Sequence, residues 1–95
     1  MPGGWVYIMT DRPYGILYIG VTSDLPRRAW EHREGVVDGF TKRYRLKRLV
    51  HAEHHDDIAR AIQRERTMKH WRREWKVLLI ERDNPNWDDL YDGLI

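Results

Sequence analysis

The stretch WVYIMTDRPYGILYIG, residues 5–20, sets the first constraint on the fold. Two runs rich in Val, Ile, Tyr and Trp flank a short segment that carries proline and glycine. β-Branched and aromatic residues at this density favour strands, so residues 5–10 and 16–21 are read as the two arms of a hairpin. Pro13 suits the second position of a tight turn, and Gly15 can supply the left-handed residue that closes a hairpin with a bulge. The pair must be antiparallel, because parallel neighbours need a long crossover between them. Each arm holds a tyrosine, Tyr7 and Tyr18, and side chains on adjacent strands can point to one face.

The segment TSDLPRRAWEHREG begins a helix. Ser23 and Asp24 offer capping oxygens, Pro26 is tolerated in the first turn, and Gly35 marks the stop. GFTKRYRLKR reads as a basic loop with room for one short helical turn, and RLVHAE as a third strand. DDIARAIQRERTMKHW is a helix with two aspartates at its positive end. Trp71, Trp75, Leu78 and Leu79 keep helical spacing, and that helix ends before Asn84 because a following proline disfavours it. The order is β-β-α-β-α-α. It predicts an α+β fold with a small three-stranded, mainly antiparallel sheet flanked by helices.

Ninety-five residues predict a single domain spanning 1–95. Five tryptophans are expected to fill much of its core. Cysteine is absent, which excludes disulfides, thiolate metal sites and cysteine nucleophiles and fits a cytoplasmic setting. No run has the pattern of a signal peptide or the length to span a bilayer, so no membrane partner is expected.

The net charge of +2 hides an uneven distribution. Leu25–Arg48 and Arg60–Lys76 each carry a net +5, whereas Glu81–Ile95 carries −4. Thirteen arginines stand against four lysines, and the arginine fork suits bidentate phosphate contacts. A basic body with an acidic end fits a polyanionic partner, and equally a solvated surface.

Three features are odd for a purely structural domain. Arg28 and His32 lie four apart on one helical face beside Leu25 and Ala29; a snorkelling arginine next to a hydrogen-bonded histidine is the plainer alternative. Glu65 falls in the middle of the apolar stripe Ile58, Ala61, Ile62, Met68. A carboxylate there must be paired, neutralised or bound to a cation, and a salt bridge to the basic loop would suffice. HAEHHDD gathers histidines and carboxylates, but strand alternation parts His54 from His51, Glu53 and His55, and the aspartates fit helix caps, which argues against a metal cluster there.

These residues together resemble the GIY-YIG nuclease superfamily: VYI at 6–8, YIG at 18–20, Arg28 ten residues past Tyr18, His32 four further on, and a later helical Glu65. The likeness is to its small stand-alone bacterial members, often described as UvrC-like endonucleases. It runs nearly end to end through FTKRY, KRLV, RERTMKHWRREWK and NPNWDDLY. Trp5 and Val6 stand where the name-giving Gly and Ile would be, and YGI at 14–16 lies inside the turn. The family's late asparagine has no clear match, with Asn84 and Asn86 as stand-ins.

The resemblance implies a DNA endonuclease that uses Mg²⁺ or Mn²⁺ and no small-molecule cofactor. Glu65 would be the metal ligand and Arg28 would hold the scissile phosphate. Tyr7 and Tyr18 would activate water and position phosphate or nucleophile, His32 would relay the proton, and Gly20 would permit close backbone approach. Lys42, Arg43, Arg45 and Lys47 would bind the DNA backbone, giving low sequence specificity and a role in DNA repair or processing. Two other readings remain open at this level: a nucleic-acid-binding module that has lost turnover, and an interaction domain using the acidic tail.

Overall fold

β1 (Gly4–Thr10) and β2 (Leu17–Thr22) form the expected hairpin, and β3 (Arg48–His55) pairs with the other edge of β1. The strand order is β2-β1-β3 and both pairings are antiparallel. The computed structural model describes residues 3–37 and 39–94. Helices α1 (Leu25–Glu34), α2 (Phe40–Arg43), α3 (Ile58–Lys69) and α4 (Arg73–Asp83) surround the sheet, and a single 3-10 turn, Tyr91–Leu94, follows. The α+β class and the order of elements agree with expectation, and α2 is the short helical turn inside the basic segment. Among the described residues no helix is long and apolar enough to cross a membrane.

The hairpin turn differs from expectation in one residue. Gly15 N–H donates to Arg12 C=O at 2.9 Å, so the turn runs Arg12-Pro13-Tyr14-Gly15. Proline holds its second position, but the left-handed residue is Tyr14, at φ 60°, rather than Gly15. Tertiary contacts hold Tyr14 there: its ring packs on Trp87 at 4.9 Å and its hydroxyl donates to Glu81. Gly15 serves a steric need instead. The Asp11 carboxylate, which accepts from Ile16 N–H at 2.9 Å, fills the space a side chain at 15 would occupy.

Alternation along β1 builds two cores. Val6 and Ile8 face one side with Ile19, Val50, Ala61, Met68, Leu79, Ile80 and Trp87. Tyr7 and Met9 face the other with Leu25, Ala29, Leu46 and Leu49. The register to β3 shifts between Ile8 and Met9, so Val50 is an extra residue in β3 and this bulge keeps it on the α3–α4 side. Asp24 caps α1 by accepting from Arg27 N–H, and Gly35 ends it at φ 71°. Asp57 caps α3 by accepting from Ala59 N–H at 2.8 Å. Each cap satisfies a helix-end group that would otherwise lack a partner.

The tryptophans do not fill the core as expected. Only Trp87 is fully buried, whereas Trp30 and Trp75 are about half exposed, and Leu78 is 66% exposed. On α4, Leu79 and Ile80 are buried against the core, while Trp75 and Leu78 face outward. The tail that follows packs over the core. The Asn84 amide donates to Val50 C=O at 3.1 Å and to Asp88 C=O at 2.9 Å, and Leu90 N–H donates to Leu49 C=O at 2.8 Å.

The histidine-rich end of β3 is an ion network. Glu53 accepts from His51 Nε2 and His55 Nε2, each at 3.0 Å, and from Arg64 Nε at 2.7 Å. Burial alone would raise the Glu53 pKa. The hydrogen bonds from His51, Arg64 and His55 outweigh it and hold the carboxyl well below the usual carboxylate range. Because the folded pKa is depressed, the stability it confers is present above the unfolded value near 4.3 and is lost as pH falls. Urea unfolding from pH 5 to pH 3 should show a falling midpoint, and Glu53→Gln should flatten that fall while lowering stability at pH 7 by about 1–3 kcal/mol.

Candidate active site

Tyr7 lies opposite Gly20 in the β1–β2 register, and Met9 lies opposite Tyr18. A Cβ at Gly20 would come within 3.0 Å of the Tyr7 ring and hydroxyl, so the glycine is what lets the phenol lie across the neighbouring strand. Tyr18, two residues back, falls on the same face, with ring centroids 6.3 Å apart. Gly20→Ala should displace the Tyr7 hydroxyl. A destabilisation of about 1–3 kcal/mol should result, measured by urea unfolding.

Helix α1 brings its polar pair to these phenols. His32 is 3% exposed, and its ring centroid lies 5.5 Å from Tyr7 and 5.8 Å from Tyr18. Its Nε2 is 2.9 Å from the Tyr7 hydroxyl, and its Nδ1 is 3.2 Å from Thr41 Oγ1. Burial, with a further contribution from the Arg28 charge and against the opposing Glu31, pushes the His32 pKa down to about 4. The imidazole is therefore neutral near pH 7 and carries one proton. Burial also raises the Tyr7 phenol well above its usual range. Tyr18, Glu65 and Glu31 add to that rise, and Arg28 opposes it. With the imidazole proton on Nδ1, Tyr7 O–H donates to Nε2 and Nδ1–H donates to Thr41; with it on Nε2, both directions reverse.

The charged groups frame this line. Arg28 Nε lies 3.5 Å from Glu31, which Arg27 also approaches at 3.6 Å, leaving the Arg28 fork half exposed. The side chain of Glu65 is only 13% exposed, and its partner is Lys69, at 3.1 Å and one turn further along α3, rather than a cation from the basic loop. Arg28 and Glu65 both act on the Tyr7 phenol through their charges. The fold thus draws Tyr7, Tyr18 and His32 into contact, with Arg28 and Glu65 in electrostatic reach.

The basic loop divides. Lys42 and Arg43 lie on α2, with Arg43 over the Tyr44 ring at 5.5 Å, and Arg45 is exposed just beyond. Lys47 lines a separate hollow with Asp11, Arg33, Arg48 and Asp89. Asn84 is committed to holding the tail, so it is a structural residue and not a stand-in for a catalytic asparagine. Among the described residues no group of three or more His, Cys, Asp or Glu is placed to hold a metal ion, and the His51–His55 network is no exception. The sequence reading missed Thr41, Glu31 and Lys69. The i+4 spacing from Glu65 was a signal for Lys69, and the i+3 spacing from Arg28 a signal for Glu31.

Residues 3–77 match the profile of the GIY-YIG catalytic domain. The chain belongs to the GIY-YIG family. It is 38% identical over 65 residues to a UPF0213 protein of Haloquadratum walsbyi, covering 68% of this chain and 73% of that one. It is 33% identical over 76 residues to a UPF0213 protein of Staphylococcus saprophyticus, covering 80% and 92%. The solution NMR structure of a UPF0213 protein from Bacillus halodurans superposes with a TM-score of 0.57 at 26% identity, covering 92% of each chain. GIY-YIG is a nuclease family, and its fold is the three-stranded antiparallel sheet with flanking helices described above.

The GIY-YIG nucleases generally use a divalent metal, and the donor set here fits one. Glu65 is a carboxylate of low exposure that already draws a cation, the Lys69 ammonium, to its oxygen. One carboxylate suits Mg²⁺, which keeps several waters and takes oxygens from a phosphate.

Proposed function

We propose that this protein is a DNA endonuclease dependent on Mg²⁺ or Mn²⁺, hydrolysing phosphodiester bonds with low sequence specificity in DNA repair or processing. The observation that carries the reading is the buried line Tyr7–His32–Thr41 beside Arg28 and Glu65. A phenolate is a poor prospect here, because burial holds Tyr7 protonated. A relay avoids it. As water attacks phosphorus, its proton passes to the Tyr7 oxygen while the Tyr7 proton passes to His32 Nε2. The new P–O bond forms as the bond to the leaving oxygen breaks, and that oxygen takes a proton from solvent.

Arg28 supports this in two ways. Its fork binds the phosphate oxygens and stabilises the charge that grows on them. Once paired with phosphate, its positive charge no longer depresses His32 as strongly, so the imidazole becomes a better acceptor as substrate binds. Tyr18 positions the phosphate or the water from the adjacent strand. Glu65 would hold the metal, which when bound supplies Lewis-acid stabilisation of the phosphoryl group. The basic residues of α2, Arg45, and the arginines of α3 and α4 contact the backbone, so affinity should fall steeply with salt.

The relay needs the imidazole proton on Nδ1, where Thr41 Oγ1 accepts it and leaves Nε2 free to accept in turn. Thr41→Val removes the hydroxyl at nearly constant shape and should lower turnover about tenfold, the worth of one hydrogen bond. The ¹⁵N shifts of His32 should show loss of the Nδ1–H form, and Thr41→Ser should restore both. The reading as a whole is tested by nicking of supercoiled plasmid, a branched duplex and a single strand. Metal-dependent cleavage is expected, whereas a protein that binds all three and cuts none is a binding module.

A further inference from the structure

Beside Tyr18 the surface carries a row of aromatic rings that the proposed relay does not use. Phe40, the sole phenylalanine of the chain, is 47% exposed and Tyr44 is 41% exposed. Tyr18 and Phe40 are nearly parallel, 24° apart with centroids at 6.5 Å, and Phe40 meets Tyr44 at 4.7 Å. Helix α2 produces this row through its first two residues: Thr41 points inward to His32 and Phe40 stays on the surface. Tyr18, Phe40 and Tyr44 thus form one continuous run of rings at the surface.

The row borders a hollow of about 240 Å³ lined by Leu17, Tyr18, Ile19, Phe40, Lys69 and Lys76. Its floor is apolar and its rim carries two ammonium groups. Lys69 is the residue that pairs with Glu65, and Tyr18 belongs to the phenol pair, so the hollow is continuous with the candidate active site. Arg43 adds a third cation at the far end of the row, over Tyr44.

We propose that this hollow is a subsite for one unpaired nucleotide next to the scissile phosphate. The base stacks on Phe40, and Lys69 and Lys76 hold the adjoining phosphate. The chemistry favours this occupant over others. Every base offers a π-face, and stacking platforms with flanking cations are how proteins grip single strands without reading sequence. In a duplex that face is covered by neighbouring base pairs, so the subsite selects strands that are single, frayed or branched. This rests on the nuclease reading and adds its substrate class.

The test measures binding apart from cutting. A single-stranded oligonucleotide and a matched hairpin duplex, each carrying 2-aminopurine, are titrated in EDTA with wild type, Phe40→Ala and Phe40→Trp. Wild type should quench the single strand on binding. Phe40→Ala should weaken single-strand affinity about tenfold or more and abolish the quench, with duplex affinity changed less than about twofold. Phe40→Trp should restore both. Unchanged single-strand binding in Phe40→Ala, or an equal loss on both probes with unaltered thermal melting, overturns the subsite. If wild type proves unable to cut any substrate yet shows the Phe40-dependent quench, the nuclease reading fails while the subsite stands. If it cuts but Phe40→Ala keeps the same strand preference, only the subsite fails.

Discussion

Tyr7→Phe should reduce phosphodiester cleavage by about 10³-fold, in the range expected when a positioned proton-transfer group is lost, while DNA affinity stays within a few-fold of wild type. The substitution removes one oxygen. The ring keeps its packing with Met9, Leu25 and Ala29 and its place over Gly20, so the hairpin and α1 remain where they are. In the proposed relay, what disappears is the link between attacking water and His32. The cost to folding is the hydrogen bond to Nε2, about 1 kcal/mol, which lowers the melting temperature by about 4–8 °C. Single-turnover cleavage, fluorescence anisotropy on labelled DNA and a thermal melt separate these three consequences.

Glu65→Gln should be as severe for cleavage and should differ in what else it changes. It keeps the shape of the side chain but removes the charge that draws Lys69 and that a divalent cation would require. A loss of several kcal/mol of charge stabilisation corresponds to roughly 10³-fold in rate. Binding of Mn²⁺, followed by the loss of its free-ion paramagnetic resonance signal, should weaken in Glu65→Gln and be unaffected in Tyr7→Phe. Stability should change by about 1 kcal/mol or less, because the i,i+4 pair keeps the Lys69 end in solvent and Gln retains the shape of the partly buried side chain. A variant that still bound Mn²⁺ as wild type does would remove Glu65 from the metal site.

Local signals made much of this legible in the sequence. The hairpin, the Asp24 and Gly35 caps of α1 and the Asp57 cap of α3 all follow from patterns within a few residues, whereas the grouping of Tyr7, Tyr18 and His32 came from the family resemblance. Strand alternation places the two tyrosines on one face, and the i+4 rule places Arg28 with His32. What escaped depends on contacts between distant segments. Tyr14 takes the left-handed conformation because Trp87 and Glu81, far along the chain, hold it. Thr41 meets His32 only once α2 brings its side chain to the α1 imidazole. The exposure of Trp75 and Leu78 reflects the use of Leu79 and Ile80 as the α4 contact with the core, which helical spacing alone does not decide.

The His32 imidazole sets a second pH dependence. At about 4 in the free protein, its pKa keeps the imidazole neutral throughout the physiological range. Its depressed value also means that the unfolded chain binds a proton first. Stability tied to His32 is therefore lost as pH falls from the ordinary value near 6.5 toward 4, above the range where Glu53 acts.

The most direct measurement is single-turnover cleavage of an end-labelled branched or single-stranded DNA by wild type, Tyr7→Phe and Glu65→Gln, with Mg²⁺, with Mn²⁺ and with EDTA. Wild type should cut only with metal, and both variants should bind the DNA yet leave it intact. Cleavage that persists in EDTA, or in both variants at the wild-type rate, would contradict a single site built from the hairpin phenols and the α3 carboxylate.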